Sequence, residues 1–485
     1  MVYIKKIFYQ SWIYGIGVFF TSLAGFMLLP IYTRYLSVGE FGELSLILAA
    51  IFFLQYILNL GIYGGFMMRY FDLDDAQSRK KLISTVMAFY VFFLLFVSIL
   101  MVFFKTPLSV LLIGRVDALV LFSVLLITVS ETLFVLPALI FRINESAVKF
   151  SIINVTKSAG VIASVYVALK IFNGGIAEAL FAQMVVGVAV TVLAYILTIK
   201  QYMFYFDAKE LWISFKLGLP ILIIMVAFWF IDYANRFIVK YFLTLESLAI
   251  YSFGFKVGQL ILFLVTTFQT LWQPLMFKIF KVEDAKRIFS DIFTYLVMAL
   301  FFGALAISIF SNELIAIFST KKYVQASSIV PMAVMTYALF GFYYFLQTPL
   351  ILKRRLYVIA SLSCFAALLN IILSFLLVPL LQIKGAIIAT FITYLLLSVA
   401  MFVIAQRNYK IPYDYAGLVK ILLSASVIFL LANSIALRGI VNIIVFKITL
   451  LFLFFVILWA LRFFNKGEIG YVKNRIISLQ EFIQK

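Results

Sequence analysis

The sequence predicts an all-α integral membrane protein of about 14 transmembrane helices, arranged as two parallel six-helix repeats plus two extra C-terminal helices. Three observations carry this. Hydrophobic residues make up 65% of the 485 and charged residues 12%, against roughly 45–50% and 25% in soluble globular chains. Apolar runs of spanning length recur from end to end, with no long polar interval between them. Two short patterns also return at nearly one offset, a little over two hundred residues.

A membrane-crossing helix needs about 20 predominantly apolar residues. Such runs fall at 11–35, 43–66, 82–104, 117–141, 149–171, 176–199, 213–238, 247–272, 289–311, 327–352, 356–380, 385–406, 416–437 and 441–463. They are apolar on every face, whereas barrel strands alternate over about ten residues, so strands are not expected. The first run follows Lys5 and Lys6, is too long for a signal-peptide core and lacks a small-x-small cleavage site, so it reads as a retained span. Pro30, Pro220 and Pro274 fall within or beside spans, where a missing N–H can kink a helix. Past Gly467, the residues Ile469, Val472, Ile476, Leu479 and Ile483 recur at helical spacing, which predicts an amphipathic tail lying on the membrane surface.

Thirty-nine Lys and Arg against twenty Asp and Glu give +19. With the N-terminus inside, most of these cations fall in the inner connections, which sets the orientation and places both termini in the cytoplasm. The basic clusters at Arg79-Lys80-Lys81 and Lys353-Arg354-Arg355 then lie beside anionic membrane lipid, and no nucleic-acid partner is needed to account for the charge. Histidine is absent and Cys364 is the one cysteine, which excludes disulfides, thiolate metal sites and imidazole catalysis. No connection is long enough for a catalytic domain. The expectation is a protein that is not an enzyme and holds no cofactor or metal.

Arg34-Tyr35-Leu36, Glu40 and Gly42-Glu43-Leu44 in the first part are answered by Lys240-Tyr241-Phe242, Glu246 and Ala249-Ile250-Tyr251 in the second. Gly175-Ile-Ala-Glu-Ala179 before span six is answered by Gly385-Ala-Ile-Ile-Ala389 before span twelve. Spans 1–6 and 7–12 therefore read as copies running in the same direction, which commonly place a substrate between two rocking halves. The expected units are residues 1–205, residues 206–410, and an appendix at 411–485 holding spans 13 and 14 and the cytoplasmic tail.

The run Leu29-Pro30-Ile31-Tyr32-Thr33-Arg34-Tyr35-Leu36-Ser37, then Phe41-Gly42-Glu43-Leu44-Ser45, Asn59-Leu60-Gly61-Ile62 and Arg69-Tyr70, with Leu217-Gly218-Leu219-Pro220 and Leu248-Ala249-Ile250-Tyr251-Ser252 later, resembles the Wzx-type polysaccharide or O-antigen flippases. These belong to the multidrug/oligosaccharidyl-lipid/polysaccharide exporter superfamily. The resemblance covers about residues 8–410. It implies a central cationic cavity between two lobes in a bacterial or archaeal cytoplasmic (inner) membrane. The implied cargo is an undecaprenyl-diphosphate-linked oligosaccharide, an O-antigen, capsule or exopolysaccharide repeat unit, carried to the outer leaflet by alternating access. A polysaccharide polymerase and chain-length machinery are the partners this implies. Two rival readings stand beside it: a cation-coupled multidrug exporter of the same superfamily, and a multi-span polysaccharide polymerase or ligase.

Charged residues within apolar runs are expensive and usually mark a substrate or ion route. Arginine suits a phosphate because its planar fork makes parallel hydrogen bonds, while lysine acts as a point charge. Substrate-binding candidates are therefore Arg34, Arg236, Lys240 and Lys256, with Arg69 and Arg142 at the inner helix ends where a diphosphate head group would arrive. Helix-end snorkelling accounts equally for Arg34, Arg236 and Lys240, and topology for Arg69 and Arg142. Asp232, Arg236 and Lys240 are spaced to share a helix face, and Asp232 lies at a depth similar to Lys256, so Asp232 is expected to pair with Lys256 or Arg236 as a clip or a switch. Glu131 and Lys157 match in depth in the first half, which suits a buried pair, or else a site at Glu131 for a coupling H+ or Na+.

Overall fold

The computed structural model describes residues 23–106, 117–435 and 439–464. The start of the first span and the expected amphipathic tail lie outside the described residues. Described here are α1 (residues 23–35), α2 (Val38–Asp72), α3 (Ala76–Phe103), α4 (Ala118–Ile143), α5 (Ala147–Ile171), α6 (Ile176–Gln201) and α7 (Ala208–Phe242). The second series is α8 (Leu245–Gln273), α9 (Ala285–Ile309), α10 (Val330–Leu352), α11 (Leu356–Leu381), α12 (Ile383–Asn408), α13 (Tyr415–Ser434) and α14 (Ile440–Ala460). Thirteen of these, α2 to α14, are long and apolar enough to cross a membrane. All fourteen expected spans have a helical counterpart, and the described residues contain no strand.

Helix starts follow from local chemistry. Ser37 caps α2 in a reciprocal box: the Glu40 amide donates to Ser37 Oγ at 3.2 Å and the Ser37 amide to Glu40 Oε2 at 2.7 Å, which satisfies amides left orphaned at a helix start. Thr244 caps α8 by accepting from the Ser247 amide at 3.2 Å. Asp75, Asp117, Asp207 and Asp414 cap α3, α4, α7 and α13. The repeated sequence around Arg34 and Lys240 is thus in part a repeated helix stop and start.

Bends occur away from the prolines expected to cause them. Pro220 sits inside the continuous helical stretch Ala208–Asp232, as does Pro137 inside α4. Breaks fall at Leu60-Gly61 in α2, where both residues are left-handed (φ 50° and 71°), and at Tyr233 in α7 (φ −120°, ψ −30°), while α10 is interrupted at Gln347, just before Pro349. At Gly61 a Cβ would lie 2.4 Å from the Gly218 carbonyl oxygen, so glycine supplies both the conformation and the room for α7.

Packing repeats with a shift of six helices: α4 lies on α6 as α10 lies on α12, α5 on α6 as α11 on α12, and α2 on α4 as α8 on α10. The two series meet where α2 contacts both α7 and α8. At the α2/α8 crossing Ser45 Oγ and Ser252 Oγ lie 3.0 Å apart, and these two residues occupy equivalent places in the sequence repeat. Equivalent residues of two copies touch only on the axis that relates them, so this contact marks that axis. The outward flanks keep large apolar side chains exposed, as with Phe92, Leu95, Phe96 and Ile99 on α3; lipid tails are the solvent such a face suits.

Candidate functional site

Charged groups gather where α1, α2, α7 and α8 converge. The break at Tyr233 creates the anchor. There the Arg236 amide turns to the Tyr233 carbonyl at 3.1 Å, which releases the Asp232 carbonyl from its helical partner. The Arg236 guanidinium takes it instead, Nη1 to oxygen at 2.8 Å, and lies over the Tyr233 ring at 4.6 Å. Arg236 is 6% exposed. One side chain thus repairs the broken ladder and carries a cation into the interior.

Lys256 enters from α8, half-buried, with Nζ 5.1 Å from the centre of the Phe26 ring and 3.7 Å from where a Cβ of Gly25 would be. It lies near enough to Arg236 for the two charges to interact. Neither cation meets a carboxylate within ion-pair distance among the described residues. Asp232 Oδ1 accepts from Tyr394 at 2.9 Å. Tyr56, Tyr233, Tyr251 and Tyr337 surround that carboxylate within reach of its charge, and Tyr337 in turn accepts from Gln259 at 2.8 Å. Behind this layer Asn235 ties three helices together, donating to Thr390 Oγ1 at 2.8 Å and accepting from Ser374 at 2.6 Å.

The expected pairing of Asp232 with Lys256 or Arg236 is therefore corrected: the carboxylate is held by a tyrosine hydroxyl, and Arg236 bonds the backbone. The shared face of Asp232, Arg236 and Lys240 is corrected as well, because the break at Tyr233 resets the helical register. Lys240 is exposed at the α7–α8 turn. Arg34 is likewise exposed at the end of α1, reaching the Ile317 carbonyl at 3.4 Å, as a helix-end anchor does. Arg142 is exposed at the end of α4. None of Arg34, Lys240 and Arg142 joins the interior cluster.

Arg69 makes a bidentate bridge from α2 to Glu210 on α7, Nε to Oε2 and Nη2 to Oε1, both at 2.8 Å. Lys157 Nζ meets Glu131 Oε2 at 2.7 Å and lies 3.9 Å above the Phe134 ring. Sequence reasoning missed Glu210, Tyr394, Tyr56 and the Lys447–Glu313 pair, whose two contacts are each 2.7 Å. An acid one turn into α7 is the signal that pointed to Glu210; the tyrosines carry none, because tyrosine is common in this chain. No cluster of potential metal ligands exists among the described residues.

The arrangement offers two neighbouring cations without a carboxylate partner, beside one carboxylate and a lining of tyrosines. An anion with attached polar groups suits it chemically.

Solved structures with this fold include "Lipid II flippase MurJ, inward closed conformation", at TM-score 0.70 and 15% identity over 92% of this chain and 98% of that one. A multidrug resistance MATE family transporter of the MOP superfamily in an inward-facing conformation matches at TM-score 0.64 and 13% identity, over 80% and 94%. The MATE transporter VcmN of Vibrio cholerae matches at 0.59 and 14%, over 83% and 96%. At such identities the likeness establishes the fold. No curated protein matches the chain. The model of one sequence family, described as polysaccharide biosynthesis protein, matches residues 8–280, and with more than half of its length matched the chain belongs to that family.

Proposed function

We propose that this protein is a flippase for a polyprenyl-diphosphate-linked oligosaccharide, working by alternating access between lobes of residues 1–205 and 206–410, with 411–485 as an added element. The observation that carries the reading is the placement of Arg236 and Lys256: two cations close together in the membrane interior, neither ion-paired among the described residues. A lone cation at mid-membrane costs about 3 kcal/mol or more, and a like charge beside it adds repulsion. A diphosphate visiting the space between them offsets both costs, and hydrocarbon alone would bar its passage. Family membership and the likeness to a lipid flippase support the same cargo class. The single acid in this cluster is tied to a tyrosine, which suits the cationic-drug reading less well. The assignment follows the sequence orientation: both termini cytoplasmic, in a bacterial or archaeal inner membrane, with cargo moving outward to be polymerised.

The test is transport by purified protein in liposomes loaded with polyprenyl-diphosphate oligosaccharide. Arg236→Glu and Lys256→Glu should each lower the rate by about 30-fold or more, since losing charge-assisted bonds costs about 2 kcal/mol. Arg34→Ala and Lys240→Ala should keep most of it. Full transport by Arg236→Glu, with normal folding, would remove the diphosphate from this site.

A further inference from the structure

The carboxylate of Asp232 has no evident duty in a site built for phosphate alone. Close enough to Arg236 for the two charges to interact, it repels the same anion that the guanidinium attracts. Three other acids in or near spans, Glu131, Glu210 and Glu313, each hold a cation at 2.7 or 2.8 Å. Asp232 differs. One oxygen accepts from Tyr394, and the other takes no donor from any described residue, in a half-buried group within reach of the Arg236 charge. That open, accessible acceptor is free to take a donor from a guest.

Tyr56 stands close by on α2. It is half-buried and one helical turn from Phe52, whose ring packs on Tyr233 next to Asp232; it is near enough to feel the Asp232 charge, and among the described residues neither its ring nor its hydroxyl has a partner. Tyr233 differs in this respect, because Phe52 (ring centres 5.2 Å apart) and Arg236 already cover it. An open carboxylate oxygen beside an open aromatic face is the chemistry that recognises a sugar: hydroxyls donate to the acid, and the C–H face of the ring lies on the arene.

We propose that Asp232 and Tyr56 form the subsite for the first sugar of the cargo, next to the diphosphate held by Arg236 and Lys256. This rests on the flippase reading and adds to it a specificity for the glycosylated over the bare lipid. Asp232 then favours release of a carrier lipid that has lost its sugar, because without hydroxyl donors only repulsion between carboxylate and phosphate remains.

Binding of two probes to the full-length protein in nanodiscs tests this: a sugar-free polyprenyl diphosphate, and one bearing a single hexose. Wild type should prefer the hexose-bearing probe. Asp232→Asn and Tyr56→Leu should weaken that probe by about tenfold, with the sugar-free probe unchanged, or tighter in Asp232→Asn. Tyr56→Phe, which keeps the ring, should lose less than Tyr56→Leu. Equal losses for both probes, or no loss for the hexose-bearing one, overturn the sugar subsite. Sugar-free binding that Arg236→Glu leaves untouched overturns the diphosphate reading instead, so the two failures are distinguishable.

Discussion

Arg236 and Lys157 illustrate two ways for a cation to live inside a membrane span. Arg236 is placed by a broken helix: its guanidinium serves the stranded Asp232 carbonyl and leaves its other nitrogens for a guest. Lys157 is placed by a partner, with Glu131 at 2.7 Å and the Phe134 ring at 3.9 Å, and so has little freedom to serve anything else. This geometry supports a permanent clip between α4 and α5 more than an ion-coupling site at Glu131. Glu131→Gln should therefore lower stability by about 2 kcal/mol, below the full 3–5 kcal/mol of a broken buried pair because Glu131 keeps 32% of its side chain exposed. Thermal melting in detergent reads this. The double variant Glu131→Leu with Lys157→Met should recover most of the loss, since two apolar groups leave no stranded charge. A double variant no better than the single one would point to a role for the charges themselves.

At the scale of elements, the seam between α2 and α7 is a contact of backbones. A Cβ on Gly65 would stand 1.7 Å from the Ser214 carbonyl oxygen, and one on Gly218 would stand 2.0 Å from that of Gly61. Small residues let membrane helices approach this closely, and van der Waals packing rather than the hydrophobic effect then holds them. Gly65→Ala must push α7 away and should cost about 1–3 kcal/mol, the usual range for overpacking, visible as reduced folded yield. Gly64→Ala, one residue away on the same helix, meets the flexible end of Ile221 and should be tolerated. Comparable losses in both would show that the close approach is not what matters.

For the molecule as a whole, the α2/α7 seam ends in the bidentate Arg69–Glu210 bridge, at the end of α2 expected to face the cytoplasm. In the proposed alternating-access cycle this seam would open, so the bridge would hold the closed state and bias the equilibrium between states. Cys364 is the one cysteine and is exposed, so Cys364→Ser gives a clean background for a reporter thiol at Leu222→Cys, beside Gly61. Glu210→Gln should raise the labelling rate of that thiol by about tenfold, as loss of a charge-assisted bidentate pair implies. The swap Arg69→Glu with Glu210→Arg should bring the rate back toward wild type. Unchanged labelling in Glu210→Gln would mean the glycine contacts alone keep the seam shut.

The sequence by itself determined that the chain is helical and membrane-embedded, where its spans lie, and that its halves resemble each other. These properties are local: an apolar run of about 20 residues can satisfy its own backbone only as a helix, and the caps at Ser37 and Thr244 are read within four residues. Which charges face one another was decided by the tertiary structure. An unbroken helical register through Tyr233 would group Lys240 with Asp232 and give Asp232 a cation that it does not meet in the fold. Helices apolar on all faces carry little periodic signal to fix their rotation, so orientation comes from packing: glycine contacts set α2 against α7, the Ser45–Ser252 crossing sets α2 against α8, and between them they aim Arg236 and Lys256 inward while Arg34 and Lys240 turn out.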